Sequence, residues 1–295
     1  MANKSSSSNP MLKPSFIKFF KFSLIAVVVI IVIYIAVSCQ SDDQVDYSTS
    51  NFVQVQEPSD DADVVVFETS EGTFKAVLYE DEAPEYVEYF KELVNDGYFD
   101  GTYVCTIIKS QEGLQAGFIG GSKTADGTTV DESNTDMTNI EVSQNLLPIK
   151  GALGSLCSED GLFTSAKAGS LVTFMNDVVV TEELEESIAE LDDVNGMQAV
   201  SDMFLTYGGV PNLMNEYTLF GQVYDGWETY DKICGAEIVD EGESDDDDEK
   251  SYQPVSDITF EKVYLSTYGE QKPEEYSFPE KTEPVTVAID EDDEE

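Results

Sequence analysis

The 295-residue sequence predicts a mainly β domain, a closed antiparallel barrel capped by two helices. Three observations predict it. Short β-rich apolar runs recur from Val64 to Leu265; one amphipathic helical stretch comes early and a second comes late; and a final strand follows the late helix. A strand–strand–helix opening, many short strands and a late helix before the last strand suit a sheet that closes on itself. Apolar content of 41% and aromatic content of 11% supply enough side chains for a real core.

The elements follow in order. Val64–Glu80, VVVFETSEGTFKAVLYE, is two β-rich runs around Ser70-Glu71-Gly72, a hairpin signal. APEYVEYFKELVNDGYF then places Pro84 at a helix start, sets Val87, Phe90, Leu93 and Val94 on one face, and stops at Gly97. Gly120–Asp136 is rich in Gly, Ser, Thr and Asp and is expected to be a loop. Leu153–Leu156, Ser170–Met175 and Tyr217–Val223 are expected strands. Thr181–Phe204 interrupts them with helical spacing (Leu184, Ile188, Leu191), and Asn195-Gly196 divides it in two. WETYDKICG, residues 227–235, is the second capping helix, and DITFEKVYL, residues 257–265, the last strand.

The domain organisation expected from composition has five parts. Residues 1–39 are a membrane anchor or lipoprotein signal and 40–62 a polar, acidic linker. Residues 63–267 are the folded domain, with a helical insertion at about 177–207 and an acidic loop at 241–250, EGESDDDDEK. Residues 268–295 are an acidic tail expected to be disordered. There is no internal repeat.

Charge and residue absences limit the chemistry. Sixty acidic residues face 15 basic ones, a formal net charge of −45, which argues against nucleic acid or anionic lipid as partner because both need cations against phosphate. The chain has no His, and every basic residue is Lys, so no imidazole or guanidinium can enter a mechanism. Ser-His-Asp, Cys-His and His-ligated metal sites are excluded. Asp245–Asp248 lacks EF-hand spacing and is expected to be a solvated loop; neither a metal nor a cofactor is implied. Cys39, Cys105, Cys157 and Cys234 show no CxxC spacing; one disulfide among the last three and buried free thiols both fit.

The N-terminus has the pattern of membrane targeting. Lys4, Lys13, Lys18 and Lys21 precede FSLIAVVVIIVIYIAVSC, Phe22–Cys39, with no acid among them. That apolar run approaches the roughly 20 residues a bilayer span takes, and cationic residues before it place the rest of the chain outside the cytoplasm. An uncleaved anchor, a cleaved signal peptide and a lipoprotein signal ending at Ala36-Val37-Ser38-Cys39 all fit, with Cys39 the lipidation candidate.

Three motifs in order then resemble one family. Glu71-Gly72 through Tyr79, Ala83-Pro84, Phe90, Leu93 and Gly97-Tyr98-Phe99-Asp100-Gly101-Thr102 resemble the opening of cyclophilins. Members of that family carry G-x-I-x-I-x-L-Y, A-P-x-T-V-x-N-F and G-Y-Y-D-G-T. Leu213–Ile233, LMNEYTLFGQVYDGWETYDKI, resembles L-D-G-K-H-x-x-F-G-x-V-x-x-G-M-x-x-x-D-x-I without gaps, and Lys150–Cys157, KGALGSLC, resembles G-x-L-S-M-A. The resemblance spans about Asp63 to Leu265. It implies an eight-stranded barrel with two helices and peptidyl-prolyl cis-trans isomerase activity on proline-containing segments, here of extracytoplasmic proteins or a protein partner.

Such catalysis needs no covalent step. Peptide bond rotation faces a barrier of about 18–20 kcal/mol, and unaided X–Pro bonds isomerise in about tens to hundreds of seconds. The family is understood to favour the twisted state with an Arg donor near the prolyl nitrogen, an apolar pocket for the ring and a Gln on the carbonyl. The resemblance puts Thr106 where that Arg would be, within Val104-Cys105-Thr106-Ile107-Ile108. Lys109 is the nearest cation in sequence. Gln115 matches the Gln of F-M-x-Q-G-G with one residue inserted, and Leu213 matches the pocket Leu. Asn212 and Tyr217 replace the usual Trp and His. The S-Q-F-F-I strand appears as Ser170–Phe174; an ungapped match puts Thr173 at the pocket Phe and a one-residue shift puts Phe174 there, on the opposite face. The resemblance therefore keeps a family frame without its catalytic donor.

Overall fold

A computed structural model describes residues 45–109, 115–127, 138–158, 167–179, 195–239, 252–279 and 281. The apolar segment Phe22–Cys39, residues 181–194 of the insertion and the acidic loop 241–250 lie outside the described residues. Among the described residues no helix is long and apolar enough to cross a membrane.

Among the described residues nine strands form one antiparallel sheet: β1 Asp63–Thr69, β2 Gly72–Leu78, β3 Thr102–Lys109, β4 Gln115–Ser122, β5 Thr138–Asn139, β6 Ala152–Ser158, β7 Lys167–Met175, β8 Leu219–Asp225 and β9 Ile258–Thr267. Their order is β4-β3-β9-β1-β2-β8-β6-β7, and β7 pairs back with β4, so eight strands close a barrel as expected; the two-residue β5 is appended to β7. Closure removes the exposed edges an open sheet of this size would leave.

Helix α1, Pro84–Asn95, covers one end of the barrel. Pro84 begins it, and Val87, Phe90, Leu93 and Val94 are all buried, as their spacing predicts. Ala83 cannot cap it. The Glu141 carboxylate does so from across the fold, accepting from the Glu85 and Tyr86 amides at 3.2 and 2.9 Å. Helix α2, Met197–Tyr207, is the second half of the insertion and starts after left-handed Gly196. Helix α3, Trp227–Cys234, covers the other end, its Tyr230 hydroxyl donating to the Met175 carbonyl at 2.6 Å.

The barrel interior is aromatic. Phe118 and Phe174 stack with centroids 4.4 Å apart, Phe67 and Phe74 at 4.7 Å, and Tyr230 and Phe260 meet these rings edge-on or tilted. Each such ring buries on the order of 150–250 Å² and contributes roughly 1.5–3 kcal/mol of transfer free energy.

Two expectations about the ends of the domain do not hold. The linker does not run free up to residue 62: Tyr47 is 4% and Gln54 2% exposed, and Val45, Phe52 and Val55 pack in a cluster with Val200, Met203, Phe204 and Met214. Nor is the tail disordered from residue 268. Helix α4, Tyr268–Gln271, buries Tyr268 completely, and Phe278 stacks edge-on against both Tyr207 and Trp227. Lys281 ion-pairs with Asp177 at 2.7 Å and its amide donates to the Thr206 carbonyl. Both stretches look polar in composition, yet their few apolar residues find partner surfaces distant in sequence, the insertion for Val45, Phe52 and Val55 and strands β1, β2 and β8 for Tyr268. The expected loop from Gly120 also starts late, because β4 continues to Ser122.

Replacing Phe174 with Ala should lower unfolding stability by about 3–5 kcal/mol, because it empties the centre of the ring cluster. Denaturant unfolding followed by emission of Trp227, the single Trp of the chain, measures this.

Candidate functional site

The residues singled out by the resemblance separate into two groups. Side chains of β7 alternate: Val172 and Phe174 point into the barrel, while Leu171 and Met175 belong to a cluster on its outer face. Thr173 lies between Leu171 and Met175 and so takes the outer face. Phe174 is a core residue, fully buried among Phe67, Phe74, Phe118 and Phe260, and is no part of an outer groove.

Thr106 is half-buried on β3, beside an irregularity in the β3–β4 pairing. Its partner across β4 is Ile119, and Ile119 in turn pairs with Thr173 on β7. Thr106, Ile119 and Thr173 thus form one cross-strand row. Leu213 sits in a single 3-10 turn, Pro211–Leu213, and Tyr217 follows in the irregular segment before β8. Both join the outer cluster with Cys105, Ile108, Ala116 and Ile119.

Gln115 stands apart. It pairs with Lys109 at the start of β4, four residues or about 13 Å along the strand from Ile119. Its side-chain amide lies against Gly235, just past α3, where an added Cβ would be 3.6 Å from Oε1. Gly120 and Gly121 follow Ile119 for a packing reason: a Cβ on Gly120 would lie 2.6 Å from the Phe260 ring, and Gly121, at φ +94, faces Phe99.

The chemistry of the row is limited. The Thr106 hydroxyl donates to Cys105 Sγ at 3.9 Å, and Cys105 donates to the Ile119 carbonyl at 3.6 Å. Thr106 thereby directs its single donor to a sulfur within the face. Lys109 lies three residues, about 10 Å, along β3. Ile119 is 1% exposed, Thr173 and Leu213 2%, and Tyr217 8%, so the face is nearly closed. Thr173 Oγ1 is buried with no hydrogen-bond partner, at a cost of roughly 1–3 kcal/mol. Such a row offers shape and two hydroxyls but no charge, amide or ring.

Neither Cys105 nor Cys234 is in a disulfide. Burial, slightly offset by the Thr106 contact, pushes the Cys105 thiol up to about 11, and burial with Asp231 nearby raises that of Cys234 further. Among the described residues no group of His, Cys, Asp and Glu is arranged to hold a metal. Since the thiolate is the reactive form, native protein at pH 7–9 should resist iodoacetamide at both positions and take it up only once unfolded. Peptide mapping by mass spectrometry measures this.

Comparison with known proteins adds to the geometry. A family model described as cyclophilin type peptidyl-prolyl cis-trans isomerase/CLD matches residues 64–263. A protein of Staphylococcus aureus strain COL named "Putative peptidyl-prolyl cis-trans isomerase" is 25% identical over 215 residues, 72% of this chain and 98% of that protein. A Staphylococcus epidermidis protein of the same name is 26% identical over 219 residues, again 72% and 98% of the two chains. A solved cyclophilin type peptidyl-prolyl cis-trans isomerase of Cryptosporidium parvum superposes with a TM-score of 0.48 and 19% identity, covering 70% of this chain and 98% of that one. With strands, capping helices and motifs in this arrangement, the chain belongs to the cyclophilin-type peptidyl-prolyl cis-trans isomerase family.

Proposed function

We propose that this protein engages proline-containing segments of proteins outside the cytoplasm, tethered there by its N-terminal segment, and accelerates their isomerisation weakly or not at all. Family membership supports an isomerase-like function. The observation that carries the finer reading is the row Thr106–Ile119–Thr173, in a chain without a single Arg. An isomerase must stabilise the twisted amide by donors set toward the prolyl nitrogen and carbonyl before the twist occurs. Here one hydroxyl is engaged with sulfur, the central side chain is aliphatic, and Lys109 stands too far along the strand.

A second reading is a barrel that serves only as an acidic scaffold. The near-complete burial of Ile119 and Thr173 favours it, since a proline ring needs an open pocket.

Exchange NMR on a proline peptide with the full chain separates these readings. The expected result is saturable shift changes in the peptide with at most a small increase in exchange rate. Acceleration matching ordinary cyclophilins would overturn the weak-catalysis reading, and no binding would leave the scaffold. The triple substitution Thr106→Arg, Ile119→Gln, Thr173→Phe should raise the exchange rate at least about tenfold over the wild type, equivalent to about 1.4 kcal/mol of transition-state stabilisation.

A further inference from the structure

Val53 packs on the outer-face cluster of the candidate site, and Val45, Tyr47, Phe52 and Val55 pack on the cluster beside it. Leu213 and Tyr217 lie on a wall, Pro211–Thr218, with one 3-10 turn and no strand pairing. Its own backbone makes local bonds, Leu213 to Val210, Met214 to Pro211 and Glu216 to Leu213, and is tied to a strand only at its end, where the Thr218 carbonyl accepts from the Ser155 amide at 2.9 Å. A segment held this way takes its shape from what packs against it.

What packs against it is the chain from Val45 to Glu57. Tyr47 is 4% exposed, and its hydroxyl donates to Asn215 Oδ1 at 3.0 Å. Asn215 is midway along the wall and has φ +62, a conformation that favours a local polar anchor. The Tyr47 amide donates to the Asn195 carbonyl at 2.9 Å, and a Cβ on Gly196 would lie 2.4 Å from the Tyr47 backbone carbon, so the insertion grips this residue closely. Met214 shares a buried cluster with Tyr47, and Val53 packs on the outer-face cluster that contains Leu213 and Tyr217.

Gln54 fixes the other end. It is 2% exposed, and its amide donates to the Leu147 carbonyl at 2.8 Å and to Gln222 Oε1 at 2.9 Å while accepting from the Leu147 amide at 2.6 Å. Gln222 is fully buried in β8, the strand into which the wall runs, and donates on to the Lys150 carbonyl at 2.8 Å. A primary amide that meets a backbone N–H and C=O together acts as an added rung, and in a dry site such a rung is specific in register.

We propose that Tyr47 and Gln54 are positioning residues: they hold the Leu213–Tyr217 wall in the form that meets the Thr106–Ile119–Thr173 row, so that the segment next to the membrane-targeting stretch is part of the peptide site. This rests on the reading that the row and wall take proline-containing segments. A domain cut at residue 63, where the barrel begins, would lack both residues.

The test uses the full chain carrying Tyr47→Phe, which keeps the ring, and separately Gln54→Met, which keeps the volume. Methyl NMR of Leu213 is read without peptide, affinity for a proline peptide is read by titration, and Trp227 emission with the melting midpoint reports the fold. Loss of one neutral hydrogen bond predicts a shifted Leu213 methyl signal and about fivefold weaker peptide binding for Tyr47→Phe. For Tyr47→Phe the melting midpoint should stay within about 3 °C. An unmoved Leu213 signal in both folded variants overturns the proposal. So does a general loss of structure, which would make the two residues merely structural. If the wild type binds no proline peptide, the functional reading fails, while the Leu213 signal still decides whether Tyr47 and Gln54 set the wall.

Discussion

Pairing of β4 with β7 is the interaction on which the rest of this protein depends. It converts an open eight-stranded sheet into a barrel, and its register puts Phe118 opposite Phe174 inside and Ile119 opposite Thr173 outside. The inner pair stacks at 4.4 Å at the centre of the aromatic core. Because side chains alternate across a strand, the contact that fills the core also dictates which residues face outward. Interior and candidate site are two sides of one register. Gly117 belongs to the same constraint: at φ +142, its missing Cβ lets the Phe174 carbonyl approach to a point that a side chain would occupy.

Around this barrel the chain adds a second, smaller body of packing. The segment Val45–Val55, the insertion with α2, and the tail around Phe278 share one buried cluster. Asp177 is its polar counterpart, accepting from the amides of Val179 and Gly209 and pairing with Lys281, whose side chain is 8% exposed. Removal of one partner from a pair this enclosed leaves the other charge without compensation, unlike the exposed pairs of Lys272 with Glu57 and Asp60, which water screens. The addition abuts the wall of the candidate site, so divergence at the periphery and divergence in the site are physically adjacent.

Thr106 occupies a strand position that the barrel requires whatever its side chain, since the backbone pairs and Ile107 beside it fills the core. The neighbouring Ile119, Cys105 and Thr173 then close over the space with aliphatic carbon, sulfur and a hydroxyl, a face suited to contact and poor in directed charge.

Sequence by itself determined the class of fold, most of the strands, both capping helices and the absence of any imidazole or guanidinium chemistry, because apolar periodicity, turn residues and composition are local properties of the chain. It located Thr106, Leu213 and Tyr217 on motifs whose spacing carries no gaps. Only the tertiary structure put Thr173 on the outer face and Phe174 in the core, set Ile119 opposite both Thr106 and Thr173, and packed residues 45–55 and 268–278 onto the fold. Each of these depends on which strand or segment lies opposite, and a hairpin of unknown length or a partner surface more than a hundred residues away leaves no trace in a local pattern. Register and docking are pairwise facts, and they are settled when the chain closes on itself.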